Sequence, residues 1–136
     1  MKMSGQWSEM ALQESDRRFR SLIENATDII VILDDKGIFR YSSPSAERVL
    51  GYRQEDVVGR IASDLVHPED IELIMGVLYG AIQNPRVSQP VIEYRVRHRE
   101  GTWRFFEAVA TSLLDDPAIC GVVVNCHDIT DRKRVE

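Results

Sequence analysis

The residues of this 136-residue chain whose types could do chemistry are three histidines, two cysteines and several close-set aspartates. His67 and Asp70 stand together in VHPED, where an imidazole and a carboxylate could share a zinc ion or pass a proton. Asp34-Asp35 and Asp115-Asp116 offer paired carboxylates. None of these sets is complete. Two ligands fall short of a metal site, His67 and Asp70 flank a helix start that favours acidic residues, and the aspartate pairs lie in turn-like segments. His98 sits near a turn and His127 beside the segment DIT, each without a second ligand at hand. There is no glycine-rich phosphate loop, Gly-x-Ser-x-Gly or Cys-x-x-Cys. Cys120 and Cys126, placed on one extended strand, are roughly 20 Å apart, too far for a disulfide. Two separate thiols fit a reducing compartment. The residue inventory therefore predicts no catalytic residue and no metal site.

Composition bounds the rest. The chain is long enough for one domain with its own core, and 43% hydrophobic with 29% charged residues is ordinary for a globular protein. A net charge of −5 argues against nucleic acid as a partner, since phosphate binding needs a basic face. No apolar run approaches the roughly 18–20 residues that span a bilayer, and MKMSGQWSEM lacks the apolar core of a signal peptide. The expectation is a cytoplasmic chain without membrane contact of its own, whose longer parent could still be membrane-anchored.

The elements that must position these residues are written in hydrophobic period and turn chemistry. Residues 1–7 read as a leader and residues 8–26 as a helix with Met10, Phe19, Leu22, Ile23 and Ala26 on one side. Ile29–Leu33 and residues 38–41 form a hairpin around Asp34-Asp35-Lys36-Gly37. SPSAERVLGY predicts a short helix with Ser43 as N-cap, Pro44 at its first position and Gly51 at its end. RQEDVVGR gives one more turn, and HPEDIELIMGVLYGAIQ a longer helix with Ile71, Ile74, Met75, Leu78 and Ile82 facing inward. VIEYRVRHREGTWRFFEAVATSLLDD and PAICGVVVNCHDI supply three more strands, the first two joined by a turn at Glu100-Gly101. Helices grouped between strand sets predict an α+β fold with an antiparallel sheet.

In this order, the segments DDKGIFRYSSPSAERVLGY, EDVVGR, VHPED, YRVRHREGTWRFFEAVA, GVVVN and DITDRK resemble a PAS domain of the bacterial sensory type with its C-terminal PAC segment. The resemblance implies a five-stranded antiparallel sheet with helices over one face and an N-terminal flanking helix. The implied division is residues 1–18 as leader and flanking helix, 19–130 as the PAS domain, and 131–136 as the start of an output linker. It also implies a sensory or dimerisation module without catalysis, relaying to a C-terminal output domain such as a histidine kinase or cyclic-dinucleotide enzyme. The alternative is a constitutive, ligand-free spacer. Ser43 stands where many relatives have asparagine, which puts any contact made by that asparagine in doubt.

The resemblance also frames the cofactors. GRIASDLVHPED carries no cysteine for a flavin adduct, and the long helix carries no histidine for haem, so neither cofactor is expected. A pocket between sheet and helices would be lined by Val49, Leu50, Ile61, Leu65, Ile74, Leu78, Val124 and Cys126 and suit a small apolar or amphipathic ligand. The same residues would equally make a filled core. Aromatic residues at both parities of WRFF imply that both sheet faces are covered, the outer one by the N-terminal helix or by a second subunit in a homodimer. Signal relay is expected at Asp128, Ile129, Thr130 and Arg132. There Asp128 would cap a helix or pair with a guanidinium, Thr130 would serve as N-cap, and Arg132, Lys133 and Arg134 would lie on an exposed helical face.

Overall fold

The computed structural model describes residues 28–135; the predicted leader and the whole of the predicted flanking helix lie outside them. The first two strands, β1 (Ile29–Leu33) and β2 (Phe39–Ser42), form the expected hairpin. Its turn is built by Asp34, whose carboxylate accepts the amide protons of Lys36 and Ile38 at 2.8 and 2.9 Å. Two short helices follow, α1 (Ser45–Leu50) and α2 (Gln54–Val57), then 3-10 turns at Ala62–Leu65 and Pro68–Asp70. The longer helix α3 (Ile71–Gln83) leads to β3 (Ile92–Arg97), β4 (Trp103–Leu113) and β5 (Gly121–Asp128), and the chain leaves through α4 (Thr130–Val135).

The five strands form one antiparallel sheet in the order β2-β1-β5-β4-β3. The helices connect the two edge strands, and α3 packs against β4 and β5. The α+β class and the five-stranded antiparallel sheet expected from the sequence are what the chain forms. Strand alternation assigns the faces. Ile29, Val31 and Leu33 of β1, Val122 and Cys126 of β5, and Phe106, Ala108 and Ala110 of β4 are buried beneath the helices. Gly121 is required where β5 starts, because a Cβ there would lie 2.4 Å from Ile32 Cγ2 and 2.9 Å from the Leu33 carbonyl oxygen.

Two local expectations are corrected. Ser43 does not cap α1, whose N-cap position is Pro44. Instead the Ser43 hydroxyl accepts the Ile30 amide at 2.9 Å and shares a hydrogen bond with Ser45 Oγ at 2.9 Å, while Ser45 Oγ donates to the Asp28 carbonyl. The helix is thereby stitched to the start of β1, and both hydroxyls are engaged there rather than at a local cap. Met75 does not face the core either; with Leu73 and Tyr79 it stands on the solvent side of α3, 42% exposed, while Leu78 and Ala81 are buried. The buried stripe centres on Leu78 and Ala81 with Ile74 and Val77 beside them, and Met75 falls off its edge at about 100° per residue.

Candidate functional site

The candidate site begins with small side chains. Along the inner side of β4, Phe106 is followed at alternate positions by Ala108 and Ala110. Ala108 lies opposite Cys126 and Ala110 opposite Val124 on β5, while Ile92 flanks Ala108 from β3. Methyl groups in the middle of a sheet leave a space that the helices above do not fill. The result is a cavity of about 110 Å³ between the sheet and α3. Its roof is Leu65, Val66, Ile74, Val77 and Leu78, and its floor is the inner face of the sheet.

Five of the eight residues expected in the lining are there: Leu65, Ile74, Leu78, Val124 and Cys126. The other three are placed elsewhere. Val49 is half-buried and Leu50 fully buried, both packed in the core beside the cavity. The α1 helix is drawn toward the β3–β4 turn, where the Leu50 carbonyl accepts the Arg99 amide and Tyr52 donates to the Arg97 carbonyl. Ile61 is 39% exposed, held at the surface by its bridge to Ile38. The sequence reading missed Tyr94, Phe106, Ala108, Ala110 and Val31 as lining. The signal was present in the period-two spacing of IEYRV and FFEAVA, read there only as strand.

The polar contacts at the cavity wall centre on Cys126, whose thiol donates to the Val124 carbonyl at 3.9 Å. The Tyr94 hydroxyl donates to Cys126 Sγ at 3.4 Å, reaching across β4, and the Tyr94 ring lies 6.2 Å from that of Phe106. Burial raises the Tyr94 hydroxyl well above its ordinary value, and the neighbouring thiol adds to the shift. Burial also pushes the Cys126 thiol up to about 11, with the Tyr94 hydrogen bond opposing and the Asp28 charge adding. Both groups are therefore neutral at physiological pH. Among the described residues no charged side chain lines the cavity.

Two residues beyond Cys126, the same face of β5 ends in an ionic anchor. Asp128 accepts from Arg104 Nε and Nη2 at 2.9 and 2.8 Å and from the Thr130 amide at 2.8 Å. Burial raises the Asp128 pKa, but the hydrogen bonds from Thr130 and Arg104 outweigh it and leave it below the usual carboxylate value. Thr130 is the first residue of α4 and not its N-cap. The β4–β5 ladder stops at the Phe106–Asp128 pair. Beyond it the Ile129 amide donates to the Phe105 carbonyl at 2.8 Å, and the Phe105 amide donates to Thr130 Oγ1 at 3.0 Å. Ile129 and Thr130 are both buried. The Thr130 hydroxyl also donates to the Phe105 carbonyl at 3.4 Å, so this segment is fastened by one ion pair and three hydrogen bonds to Phe105.

The basic residues of α4 do not all face solvent as expected. Glu93 and Glu107 are directly opposite on β3 and β4, a like-charge pairing that repels. Arg132 lies 3.2 Å from Glu107 and 4.0 Å from Glu93, and Lys133 lies 2.6 Å from Glu93. The attraction turns that side of α4 toward the outer sheet face, while Arg134 stays exposed beside Asp131. The Lys133 hydrogen bond also lowers the Glu93 pKa.

The remaining candidates for chemistry are engaged in structure. His67 Nδ1 accepts the Glu69 amide, and its ring packs on Trp103 at 4.7 Å. Asp70 is held by Arg95 through its side chain and amide, which keeps the carboxyl below its ordinary value against the effect of burial. His127 pairs with Asp28 at 2.6 Å on the outer face. Cys120 is exposed and Cys126 buried, and neither is in a disulfide. Among the described residues no helix is long and apolar enough to cross a membrane.

Comparison with known proteins agrees with this geometry. The family model described as PAS fold matches residues 17–129. White collar 1 protein of Neurospora crassa is 36% identical over 92 residues, covering 68% of this chain and 8% of its own. The cell-division control histidine kinase PdhS of Brucella ovis is 28% identical over 130 residues, covering 94% of this chain and 12% of its own. The crystal structure of a PAS domain from Colwellia psychrerythraea superposes with a TM-score of 0.73 at 24% identity, covering 90% of this chain and 99% of that one. The chain spans only a small part of these curated relatives' length, and on the strength of the family match it belongs to the PAS family.

Proposed function

We propose that the chain is a regulatory sensor module in which the cavity receives a small molecule and the state of the cavity is passed to the linker helix α4. The observation that carries this reading is the placement of both features on one strand. β5 supplies Val122, Val124 and Cys126 to the cavity, and two residues after Cys126 it supplies Asp128 to the anchor that fixes α4. A ligand that prefers one arrangement of β5 biases the anchor by that preference, and only by that amount. The histidine kinases among the relatives support an output domain following α4 in a longer protein, and the light-sensing relatives support a sensory role.

The reading assigns no flavin or haem. Among the described residues no histidine lines the cavity to serve as an axial ligand, and Cys126 there is a neutral thiol bonded to Tyr94. It assigns no catalytic residue, because His67 and Asp70 are committed to Trp103 and Arg95.

A homodimer through the outer sheet face and the N-terminal helix is the second reading. Trp103 and Phe105, on the outer side of β4, are 39% and 37% exposed, leaving aromatic surface for a partner. Sedimentation velocity of Phe105→Glu tests it: a shift from dimer to monomer is expected, and an unchanged mass contradicts it.

Native mass spectrometry of the gently purified protein tests the sensor reading. A co-purifying small molecule that is lost on filling the cavity with Ala110→Phe supports it. In the longer protein, Asp128→Ala should then uncouple output while the domain remains folded. Unchanged output would contradict the role given to the anchor.

A further inference from the structure

Resting on that sensor reading, we infer that the cavity selects a small uncharged ligand carrying one hydroxyl or carbonyl oxygen, of about the size of phenol, with the oxygen bound at Tyr94.

Volume sets the size. Hydrocarbon-lined cavities of about 150 Å³ take a benzene ring, and the cavity of about 110 Å³ between α3 and the sheet is of that order. A single ring fits with a slight outward movement of the roof side chains, whereas a large polycyclic cofactor does not. Charge sets the class. Among the described residues the walls are hydrocarbon apart from Tyr94 and Cys126, no cationic side chain lines them, and Arg104 at the end of β5 is already paired with Asp128. A carboxylate or ammonium would therefore be desolvated without a counter-charge, which is prohibitive in such surroundings.

The hydrogen bond at the wall supplies selectivity. The Tyr94 hydroxyl spends its proton on a thiol sulphur, a weak acceptor, at 3.4 Å. A ligand oxygen beside it offers a stronger acceptor, and a ligand hydroxyl can return its own proton to Tyr94 Oη or Cys126 Sγ. The swap replaces a poor hydrogen bond by a good one inside a buried site. A pure hydrocarbon of equal size fits the same space and gains nothing from Tyr94.

Phenol, toluene and benzoate titrated into the purified chain, followed by 1H–15N correlation spectra, separate these possibilities. The wild-type protein is expected to bind phenol and toluene, with shifts centred on Tyr94, Ala108 and Cys126, and benzoate more than about a hundredfold more weakly. Tyr94→Phe should weaken phenol about tenfold and leave toluene unchanged. Equal effects of Tyr94→Phe on phenol and toluene, or benzoate binding within about tenfold of phenol, would overturn the inference while leaving the cavity reading in place. Binding of none of the three would overturn both. The wild-type ranking of phenol over benzoate carries the test on its own if Tyr94→Phe does not fold.

Discussion

Phe105 and Phe106 are neighbours in sequence and face opposite worlds. Phe106 is 1% exposed and lines a cavity to which no charged side chain among the described residues contributes. Phe105 is 37% exposed, on a face that also carries Glu93, Glu107, Arg132 and Lys133 in mutual contact. The inner face holds neutral groups in low-dielectric surroundings, where a small change of shape or hydrogen bonding has a large energetic effect. On the outer face the interactions are ionic and wet, so each is weak and screened. Helix α4 begins where the two meet, anchored from the inner side by Asp128 and steadied from the outer side by the two glutamates.

The largest test of this contrast is a pair of truncations measured by urea denaturation. Phe106→Ala should cost about 3–5 kcal/mol, as for a buried ring, and Phe105→Ala less than about 1 kcal/mol, as for a partly exposed surface residue. Comparable losses would show that the outer face is covered more firmly than the described residues indicate.

Next is the anchor. Asp128→Ala should destabilise the domain by about 1–3 kcal/mol, the range for hydrogen bonds to a charged group, and raise amide exchange across residues 128–135. Asp128 and Asp70 both have lowered pKa values. Their contribution is full above the ordinary carboxylate value near 3.8 and is lost as pH falls through the lowered values. Stability should therefore fall below about pH 4, and the Asp128→Ala profile should be flatter there. An identical acid limb in the variant would remove Asp128 from that account.

A smaller effect of opposite sign is expected inside. Ala110→Val adds methyl groups to the cavity and should stabilise the domain by up to about 1 kcal/mol. A loss instead would indicate that the space is already tightly packed. Smallest of all, Ile61→Ala should change thermal stability little and ligand affinity not at all, since Ile61 stands at the surface away from the cavity. A loss of binding in that variant would place the mouth of the site at Ile61.

How much of this could be read from the chain depends on the range of the interaction. The hairpin around Gly37, the end of α1 at Gly51 and the inward parity of Val122, Val124 and Cys126 follow from local turn chemistry and period-two alternation, and they were legible. The partner of Asp128 was foreseen as a guanidinium but not as Arg104, because only strand register brings those two together. The same holds for Tyr94 and Cys126, which are 32 residues apart. The cavity was the hardest to foresee. It arises from two alanines in β4, Ala108 and Ala110, and an alanine in a strand pattern carries no signal until its neighbours across the sheet are known. The turn of Arg132 and Lys133 toward the outer sheet face was hidden for a related reason: the glutamates that attract them, Glu93 and Glu107, are brought together only by strand register.

The central claim is that the cavity and the linker helix respond together. The most direct measurement is a phenol titration of the wild-type chain in which cavity amides (Ala108, Cys126) and linker amides (Thr130 to Arg134) are followed in the same 1H–15N spectra. The account predicts that both groups shift along one saturation curve with one midpoint, and that the linker response disappears in Asp128→Ala while the cavity response remains. Saturation at Ala108 and Cys126 with the linker amides unmoved would contradict it.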